Sequence, residues 1–70
     1  QIQYELSNAS EVVLEVTDMT GRIVIQQNEG NQAAGVHNIE INTESLKSGV
    51  YFYTLKAGAF TATKRMIVAN

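Results

Sequence analysis

Hydrophobic and polar residues alternate along most of this chain, which is the pattern of a β-strand with one face buried and one face in water. No stretch shows the period of about 3.6 residues that an amphipathic helix requires. The alternation, or a short apolar run bounded by turn residues, covers residues 2–6, 12–17, 22–27, 36–41, 50–56 and 60–68. Six short strands at a spacing of about ten residues predict an all-β fold, built as an antiparallel sandwich or barrel.

Turn-forming residues separate the predicted strands. Asp18-Met19-Thr20-Gly21 begins with Asp and ends with Gly, which suits a type I turn. Ala57-Gly58 predicts a two-residue hairpin connection. Residues 28–35 are polar and rich in glycine, so we expect a loop there. Residues 42–45 allow no more than one helical turn, which Leu46 is expected to anchor in the core.

The inward positions of the alternating stretches define the predicted core. Tyr51, Tyr53 and Leu55 share one face of their strand, so we expect both tyrosine rings inside the domain. The predicted core consists of Leu14, Val16, Ile39, Ile41, Leu46, Tyr51, Tyr53, Leu55, Met66 and Val68. Gly21 and Gly49 stand where a turn passes into a strand, and each is expected to need a positive φ or close backbone approach.

The length of 70 residues allows one domain, residues 1–70. The chain has no cysteine, so no disulfide stabilises it. It shows neither a signal peptide nor an apolar run of about 20 residues, and direct membrane insertion is not expected. Because Gln1 already lies within a β-pattern, we expect a fragment of a longer chain, with one more strand upstream.

Charge is distributed unevenly along the sequence. Residues 1–45 hold all seven acidic side chains and one basic side chain, whereas residues 46–70 hold four basic side chains and no acidic one. One interpretation is a basic tract that meets an anionic partner. The other is charge complementarity between strands that lie side by side. Lys56, Lys64 and Arg65 are also expected to protect sheet edges from pairing with other chains.

Residues with catalytic or metal-binding chemistry are few and scattered. His37 is the one histidine, and a zinc site needs three or four ligands, so we expect a partly buried strand residue on the Ile39 face. The Asp18 turn supplies one carboxylate, which is too few for a calcium loop. No serine lies in a nucleophile-elbow pattern. We therefore expect no enzymatic activity, no metal and no cofactor.

The aromatic residues allow a second hypothesis about function. Exposed coplanar rings bind sugars, and a sheet with stacking rings binds nucleic acids, but the net charge of −2 argues against nucleic acid. Phe52 and Phe60 are the rings left for the surface once the tyrosines are assigned to the core. The alternative function is therefore a small carbohydrate- or protein-binding module appended to a secreted enzyme.

Three sequence blocks occur in an order that resembles a known family. The first is Val12-x-Leu14-x-Val16-x-Asp18-Met19-Thr20-Gly21-Arg22-Ile23-Val24, the second is Leu46-Lys47-Ser48-Gly49-Val50-Tyr51-Phe52, and the third is Thr63-Lys64-Arg65-Met66-Ile67-Val68. Their order and spacing resemble the C-terminal sorting domain of the type IX (Por) secretion system of Bacteroidota, over nearly all of residues 2–69.

The resemblance implies an immunoglobulin-like antiparallel β-sandwich at the end of a larger secreted protein. The implied partners are the cargo domain that precedes it in the same chain, the outer-membrane translocon, and a sortase-like peptidase that removes the domain at the cell surface. The implied route leads through the periplasm to the cell surface or the medium. A domain of this family is a signal without catalytic activity.

The chain lacks one feature of the family pattern. A second feature distinguishes it from a related domain family. A Pro-Asn-Pro-type opening strand is absent, so the sandwich is expected to lack one edge strand, by trimming or by nature. The related immunoglobulin-like domain of flagellar hook-capping proteins has a late Trp-Asp-Gly block, where this chain reads Ile39-Glu40-Ile41-Asn42. That difference favours the sorting domain.

A translocon that accepts unrelated cargos must recognise features that the fold itself fixes. We therefore expect the recognition surface at the hairpin turns and the last strand, with Arg22, Lys64 and Arg65 as candidate contacts. By strand parity, Lys64 runs along the edge of the core with its ammonium outside. Arg65 shares the parity of Ile67, so both are expected to face outward. The positions expected to serve the fold are Gly21, Gly49 and Tyr51.

Overall fold

The computed structural model describes residues 2–69 and contains six strands and no helix in that range. Gln1 and Asn70, the two ends of the predicted domain, lie outside the described residues. All strand pairs are antiparallel. The strands are β1 (Ile2–Leu6), β2 (Ser10–Thr17), β3 (Ile23–Gln32), β4 (Gly35–Ile39), β5 (Gly49–Ala57) and β6 (Phe60–Val68).

The six strands form two sheets that pack on each other. β1 pairs with β4 in a two-stranded sheet, and the four-stranded sheet has the order β3-β2-β5-β6. Ile2, Leu6 and Ile39 of the smaller sheet pack against apolar residues of β2 and β5. The predicted all-β sandwich is therefore confirmed, while the expected strand upstream of Gln1 concerns residues outside this sequence and stays a prediction.

The core consists of two clusters rather than the single core that we predicted. The intersheet cluster contains Ile2, Leu6, Val12, Leu14, Ile39, Leu55 and Ala57. The terminal cluster contains Val16, Leu46, Tyr51 and Val68. Ile41 and Tyr53 are partly buried and pack against both clusters, so they join the two.

Strand alternation identified the core residues well. Each of the ten predicted core residues is buried or packs against one of the clusters. Val12, Leu14 and Val16 of β2 are 0% exposed, since β2 is covered by neighbouring strands on both edges and by the core on one face. Burying a side chain such as Leu14 contributes about 1.5–3 kcal/mol to folding. The prediction omitted Ile2, Leu6, Val12 and Ala57, which continue the same alternation.

β3 is five residues longer at its C-terminal end than the predicted strand, which ended at residue 27. It stays paired with β2 as far as Gln32, which lies opposite Ser10. A bulge lets the chain do so, because Asn28 lies opposite Val13 and Gly30 lies opposite Val12. The prediction of a loop over residues 28–35 is therefore wrong, because backbone pairing and a bulge accommodate the polar sequence. Residues 33 and 34 alone connect β3 to β4.

The connection between β5 and β6 is shifted by one residue from the prediction. Ala57 lies opposite Phe60, so the two loop residues are Gly58 and Ala59 instead of Ala57 and Gly58. Gly58 has a φ of +61°, and no non-glycine residue in the described range has a positive φ. This combination is a type II′ turn, whose twist matches that of the strands it joins.

The connection between β4 and β5 keeps the predicted anchor. β4 ends at Ile39 rather than at Ile41. A turn follows in which the Leu46 amide donates a hydrogen bond of 3.0 Å to the Thr43 carbonyl. Leu46 is buried in the terminal cluster, as predicted.

Candidate functional site

The predicted recognition residues lie toward one end of the larger sheet. Arg22 directly precedes Ile23, the first residue of β3, which lies opposite Thr17. Thr17 lies opposite Phe52, and Phe52 lies opposite Arg65. Ile23 and Arg65 therefore occupy the two ends of one cross-strand row, about 14 Å apart over three strand spacings.

The Asp18 carboxylate organises the turn that carries Arg22. Its Oδ1 accepts hydrogen bonds from the Thr20 amide at 2.9 Å, the Thr20 hydroxyl at 2.6 Å and the Arg22 amide at 3.0 Å. The backbone closes the same turn, since the Gly21 amide donates to the Asp18 carbonyl and the Asp18 amide donates to the Arg22 carbonyl, each at 3.0 Å. The sequence predicted a type I turn that begins with Asp18. The Asp18 side chain adds three hydrogen bonds to the two that the backbone forms.

These bonds set the ionisation of Asp18 and restrain Arg22. The hydrogen bond from the Thr20 hydroxyl lowers the pKa of the Asp18 carboxyl, and the Arg22 amide and guanidinium lower that pKa further. Arg22 Nε lies 3.4 Å from Asp18 Oδ2, with the Arg22 side chain 79% exposed. The Arg22 charge is thus partly neutralised within its own turn.

Gly21 and Gly49 both have a positive φ, as predicted, but Gly21 lies much further from extended backbone. Gly21 has a φ of +91°, which side chains with a Cβ rarely adopt, so a substitution there is expected to strain the backbone. Gly49 has a φ of +158°, at the border of extended backbone. A Cβ at either position would meet nothing within 4 Å, so the constraint on Gly21 comes from its backbone torsion and not from crowding.

Tyr51 closes the segment that leads into β5. Its ring lies in the terminal cluster, and its hydroxyl donates a hydrogen bond of 2.8 Å to the Lys47 carbonyl four residues earlier. A buried ring with a polar tip bonded to upstream backbone resembles the tyrosine corner of β-sandwiches. Tyr51 therefore fixes the path of the chain around Gly49, which explains the Leu46-x-x-Gly49-x-Tyr51 spacing as a structural motif.

Lys64 and Arg65 lie on opposite faces of β6, an edge strand. Lys64 lies opposite Tyr53 on the core side, and Arg65 lies opposite Phe52 on the outer side. Both side chains are exposed. Within residues 2–69, neither forms an ion pair. The structure thus keeps the two basic charges uncompensated but does not bring them onto one surface.

The remaining basic residue of the larger sheet, Lys56, is paired. Lys56 Nζ lies 3.2 Å from Glu15 Oε1, across the β2–β5 pair. Charge complementarity between neighbouring strands therefore holds for Lys56 and not for the two basic residues of β6. The prediction that Lys56 protects a sheet edge is wrong, because β5 is a central strand, whereas Lys64 and Arg65 do lie on an edge.

Strand parity predicted Ile67 on the outer face beside Arg65, but the sequence analysis missed Ile23 as a second apolar residue of that face. Ile67 is 69% exposed and Ile23 is 51% exposed, on the outer face of the larger sheet. The run Ile23-Val24-Ile25 is apolar on both faces, so parity did not assign it. The outward position predicted for Ile67 from its shared parity with Arg65 is confirmed.

The aromatic residues do not form a sugar-stacking platform. Tyr51 is buried and Tyr53 is half-buried against both clusters. Phe60 is 59% exposed beside a shallow groove of about 600 Å³, which lies between the β1–β2 turn and the β5–β6 turn. Phe52 lies on the opposite face of the sheet, so the two phenylalanines cannot act together.

His37 is a partly buried strand residue, as predicted. Its ring stacks on Tyr4 at a centroid distance of 5.4 Å, and Nε2 lies 2.6 Å from the Ala33 carbonyl oxygen. Burial raises the pKa of the Tyr4 phenol, and the charge of Glu29 adds to that effect. Residues 2–69 contain no cluster of three or more His, Cys, Asp or Glu side chains that could hold a metal ion.

No helix among the described residues is long and apolar enough to cross a membrane.

A protein-family model described as the secretion system C-terminal sorting domain matches residues 1–69. No curated protein and no solved structure matches the chain.

Proposed function

This chain belongs to the family of C-terminal sorting domains of the type IX secretion system, and we propose that the export machinery recognises it as a folded domain. The family match over residues 1–69 is the observation that carries the proposal. A domain of this family is the signal that sends the protein carrying it through the type IX pathway. Sorting domains of this kind have no catalytic activity of their own.

The proposed sequence of events has three partners. The cargo is a domain on the N-terminal side of this one in the same protein, and it reaches the periplasm before the sorting domain is read. The outer-membrane translocon binds the sorting domain and passes the cargo to the outside. A sortase-like peptidase then removes the domain at the cell surface.

The proposed recognition surface is the end of the larger sheet that carries Arg22, together with the strand that carries Lys64 and Arg65. Both parts are fixed by the fold: the turn by the Asp18 bonds, and β6 by continuous pairing with β5 over nine residues. A rigid surface loses little conformational entropy on binding. This property suits a signal that must be recognised on unrelated cargos.

A reporter fusion tests the function directly. Residues 1–70 are fused to the C-terminus of a periplasm-targeted fluorescent protein, in a bacterium with a type IX system and in an isogenic strain without the translocon. We expect the reporter outside the outer membrane in the first strain and in the periplasm of the second. Retention in the periplasm of both strains would show that the domain is not a sufficient signal.

The double variant Lys64→Ala/Arg65→Ala tests the basic pair in the same assay. Exposed charges contribute at most about 1 kcal/mol to stability, so the fold is expected to survive. We expect periplasmic retention of the folded variant, with circular dichroism of the purified domain as the control. Normal export of this variant would exclude the pair from recognition.

A further inference from the structure

The outer face of the larger sheet, which points away from β1 and β4, divides into two unlike halves. In one half the polar groups satisfy each other. Glu15 pairs with Lys56 and accepts a hydrogen bond of 3.0 Å from the Gln26 amide. The Thr54 and Thr63 hydroxyls are hydrogen-bonded to each other at 2.9 Å. This half is a solvated surface with its charges already neutralised.

The other half is mainly apolar, and we call it the end patch. It consists of four apolar residues and one arginine: Ile23, Val50, Phe52, Ile67 and Arg65. Ile67 lies directly opposite Val50, and Phe52 lies between Arg65 and Thr17 in the next row, which ends at Ile23. Val50 and Phe52 are half-buried, and the two isoleucines are more than half exposed. The two rows are about 7 Å apart along the strands, so these side chains lie on one surface, in which Thr17 stands between Phe52 and Ile23.

Arg65 is the unbalanced charge of the end patch. Two other cations are already engaged, Arg22 by Asp18 and Lys56 by Glu15, and Lys64 lies on the opposite face of β6. Arg65 has no ion pair within the described residues, and it stands beside an aromatic ring on an apolar surface. A carboxylate that approached this position would be shielded from water by the isoleucines and Phe52, which strengthens an arginine–carboxylate pair.

We propose that the end patch is the docking surface for a protein partner that presents a carboxylate within an apolar area. The inference rests on the proposed function, because the partner is taken to be a component of the export machinery. It narrows the recognition surface to the end patch, in which β6 contributes its outer face. Arg65 is a contact residue in this arrangement, whereas Lys64, on the other face, is not.

Charge complementarity favours this occupant over a second copy of the chain. Two copies docked through the end patch would each bring Arg65. Among the described residues, the carboxylates of Glu15 on that face and of Asp18 in the adjoining turn are already paired with cations. A self-complementary interface would therefore hold two arginines without a partner for either, which opposes association.

The matched variants follow from the geometry of β6. Arg65→Glu reverses the proposed contact charge, and Lys64→Glu makes the same change one residue away on the opposite face. Ile67→Thr removes an exposed apolar side chain from the end patch, and Phe60→Thr removes one from the other end of the strand. Arg65→Lys keeps the charge but loses the paired donors that bind a carboxylate.

In the reporter assay, the wild-type fusion is measured first, and its export establishes the proposed function independently of the patch. We then expect Arg65→Glu to lower the export rate by about tenfold or more, with Arg65→Lys intermediate. Ile67→Thr is expected to reduce export several-fold, whereas Lys64→Glu and Phe60→Thr remain close to wild type. Each purified variant is checked for a cooperative unfolding transition, so that loss of export is not mistaken for loss of fold.

Three results would overturn the inference while leaving the function intact. The first is equal export of Arg65→Glu and Lys64→Glu in folded fusions. The second is a concentration-dependent dimer of the purified domain, by sedimentation, that Ile67→Thr abolishes, which would make a second copy the occupant. The third is flotation with phosphatidylglycerol vesicles that Arg65→Glu abolishes, which would identify a lipid surface.

Discussion

At the residue scale, two side chains hold turns of this domain in place through hydrogen bonds with the backbone. The Asp18 carboxylate accepts three hydrogen bonds in the β2–β3 turn, and the Tyr51 hydroxyl donates one to the Lys47 carbonyl before β5. Gly21 completes the first turn with a positive φ. These residues lie in the sequence blocks that carry the resemblance to the family, and the structure gives each a role in folding.

Acid is expected to weaken the β2–β3 turn through Asp18. The pKa of its carboxyl is lower in the folded state than the usual 3.8. Its contribution to stability is therefore complete above that pH and is lost as the pH falls through the folded-state value. We expect Tm, followed by circular dichroism from pH 7 to pH 2, to fall less steeply in Asp18→Asn than in wild type.

The amide of Asp18→Asn offers an oxygen acceptor but does not titrate. Its Tm is expected to be below wild type at pH 7 and close to it at the acid end. Glu40→Gln, which replaces an exposed carboxylate after β4, is the matched control. Parallel acid profiles for wild type and Asp18→Asn would contradict the role of this carboxylate.

Gly21 provides a test of backbone strain without crowding. Gly21→Val is expected to lower the free energy of unfolding by about 1–2 kcal/mol, because a β-branched residue is strained at positive φ. Gly21→Asn should cost less, since asparagine enters the left-handed region more readily. Urea titrations of the two variants compare these costs, and equal losses would show that torsion is not the cause.

Removal of the Tyr51 hydroxyl should measure the hydrogen bond that fixes the chain around Gly49. Tyr51→Phe keeps the buried ring and is expected to cost about 0.5–1.5 kcal/mol in urea unfolding. Tyr53→Phe is the control, since its hydroxyl has no hydrogen-bond partner among the described groups. A similar loss in both variants would assign the effect to the rings and not to the bond.

At the scale of the strands, sheet order decides what each charged residue does. β5 lies between β2 and β6, so Lys56 meets Glu15 of the acidic half of the sequence, while β6 has no strand on its outer edge. The opposite edge strand, β3, has two irregularities in its pairing with β2, whereas β6 pairs with β5 without interruption. Bulges discourage edge pairing, and on β6 that role is expected of Lys64 and Arg65.

The Glu15–Lys56 pair can be tested by exchanging its charges. Lys56→Glu places two carboxylates across the β2–β5 pair and is expected to destabilise the domain by about 0.5–1 kcal/mol. Glu15→Lys/Lys56→Glu restores opposite charges and should recover most of that loss in urea unfolding at low salt. Failure of the double variant to recover would mean that the pair does not contribute to stability.

At the scale of the whole molecule, the two clusters behave as one folding unit in our interpretation. β2 contributes Val12 and Leu14 to the intersheet cluster and Val16 to the terminal cluster, and Tyr53 contacts both. A domain of 70 residues has little stability to spare. Neither cluster is therefore expected to persist without the other.

Core truncation tests this coupling. Leu14→Ala in the intersheet cluster is expected to cost about 2–5 kcal/mol, and Val16→Ala in the terminal cluster should lower the same transition. Far-ultraviolet circular dichroism and tyrosine fluorescence should report one coincident unfolding curve for each variant. Separate transitions, with each variant moving only one of them, would show two independent units.

The sequence by itself determined the local features of this protein. Alternation along each strand identified the core residues and the outward parity of Arg65 and Ile67, because side chains of a strand point to opposite faces in turn. Asp18 and Gly21 specified the first hairpin through turn chemistry alone. The three ordered blocks also indicated the family, which the match over residues 1–69 confirmed.

The tertiary structure alone decided how the strands meet. Strand parity could not assign the residues of the run Ile23-Val24-Ile25 to the inner or outer face. Pairing with β2 decides it, because Ile25 lies opposite Val16 on the core side and Ile23 lies on the outer face. Sheet order made Lys56 central and β6 an edge, and it brought Ile23 and Ile67, 44 residues apart in sequence, onto one surface. Alternation repeats within a strand, whereas the choice of neighbouring strands depends on burial across the whole chain, so the end patch is a property of the fold and not of any one segment.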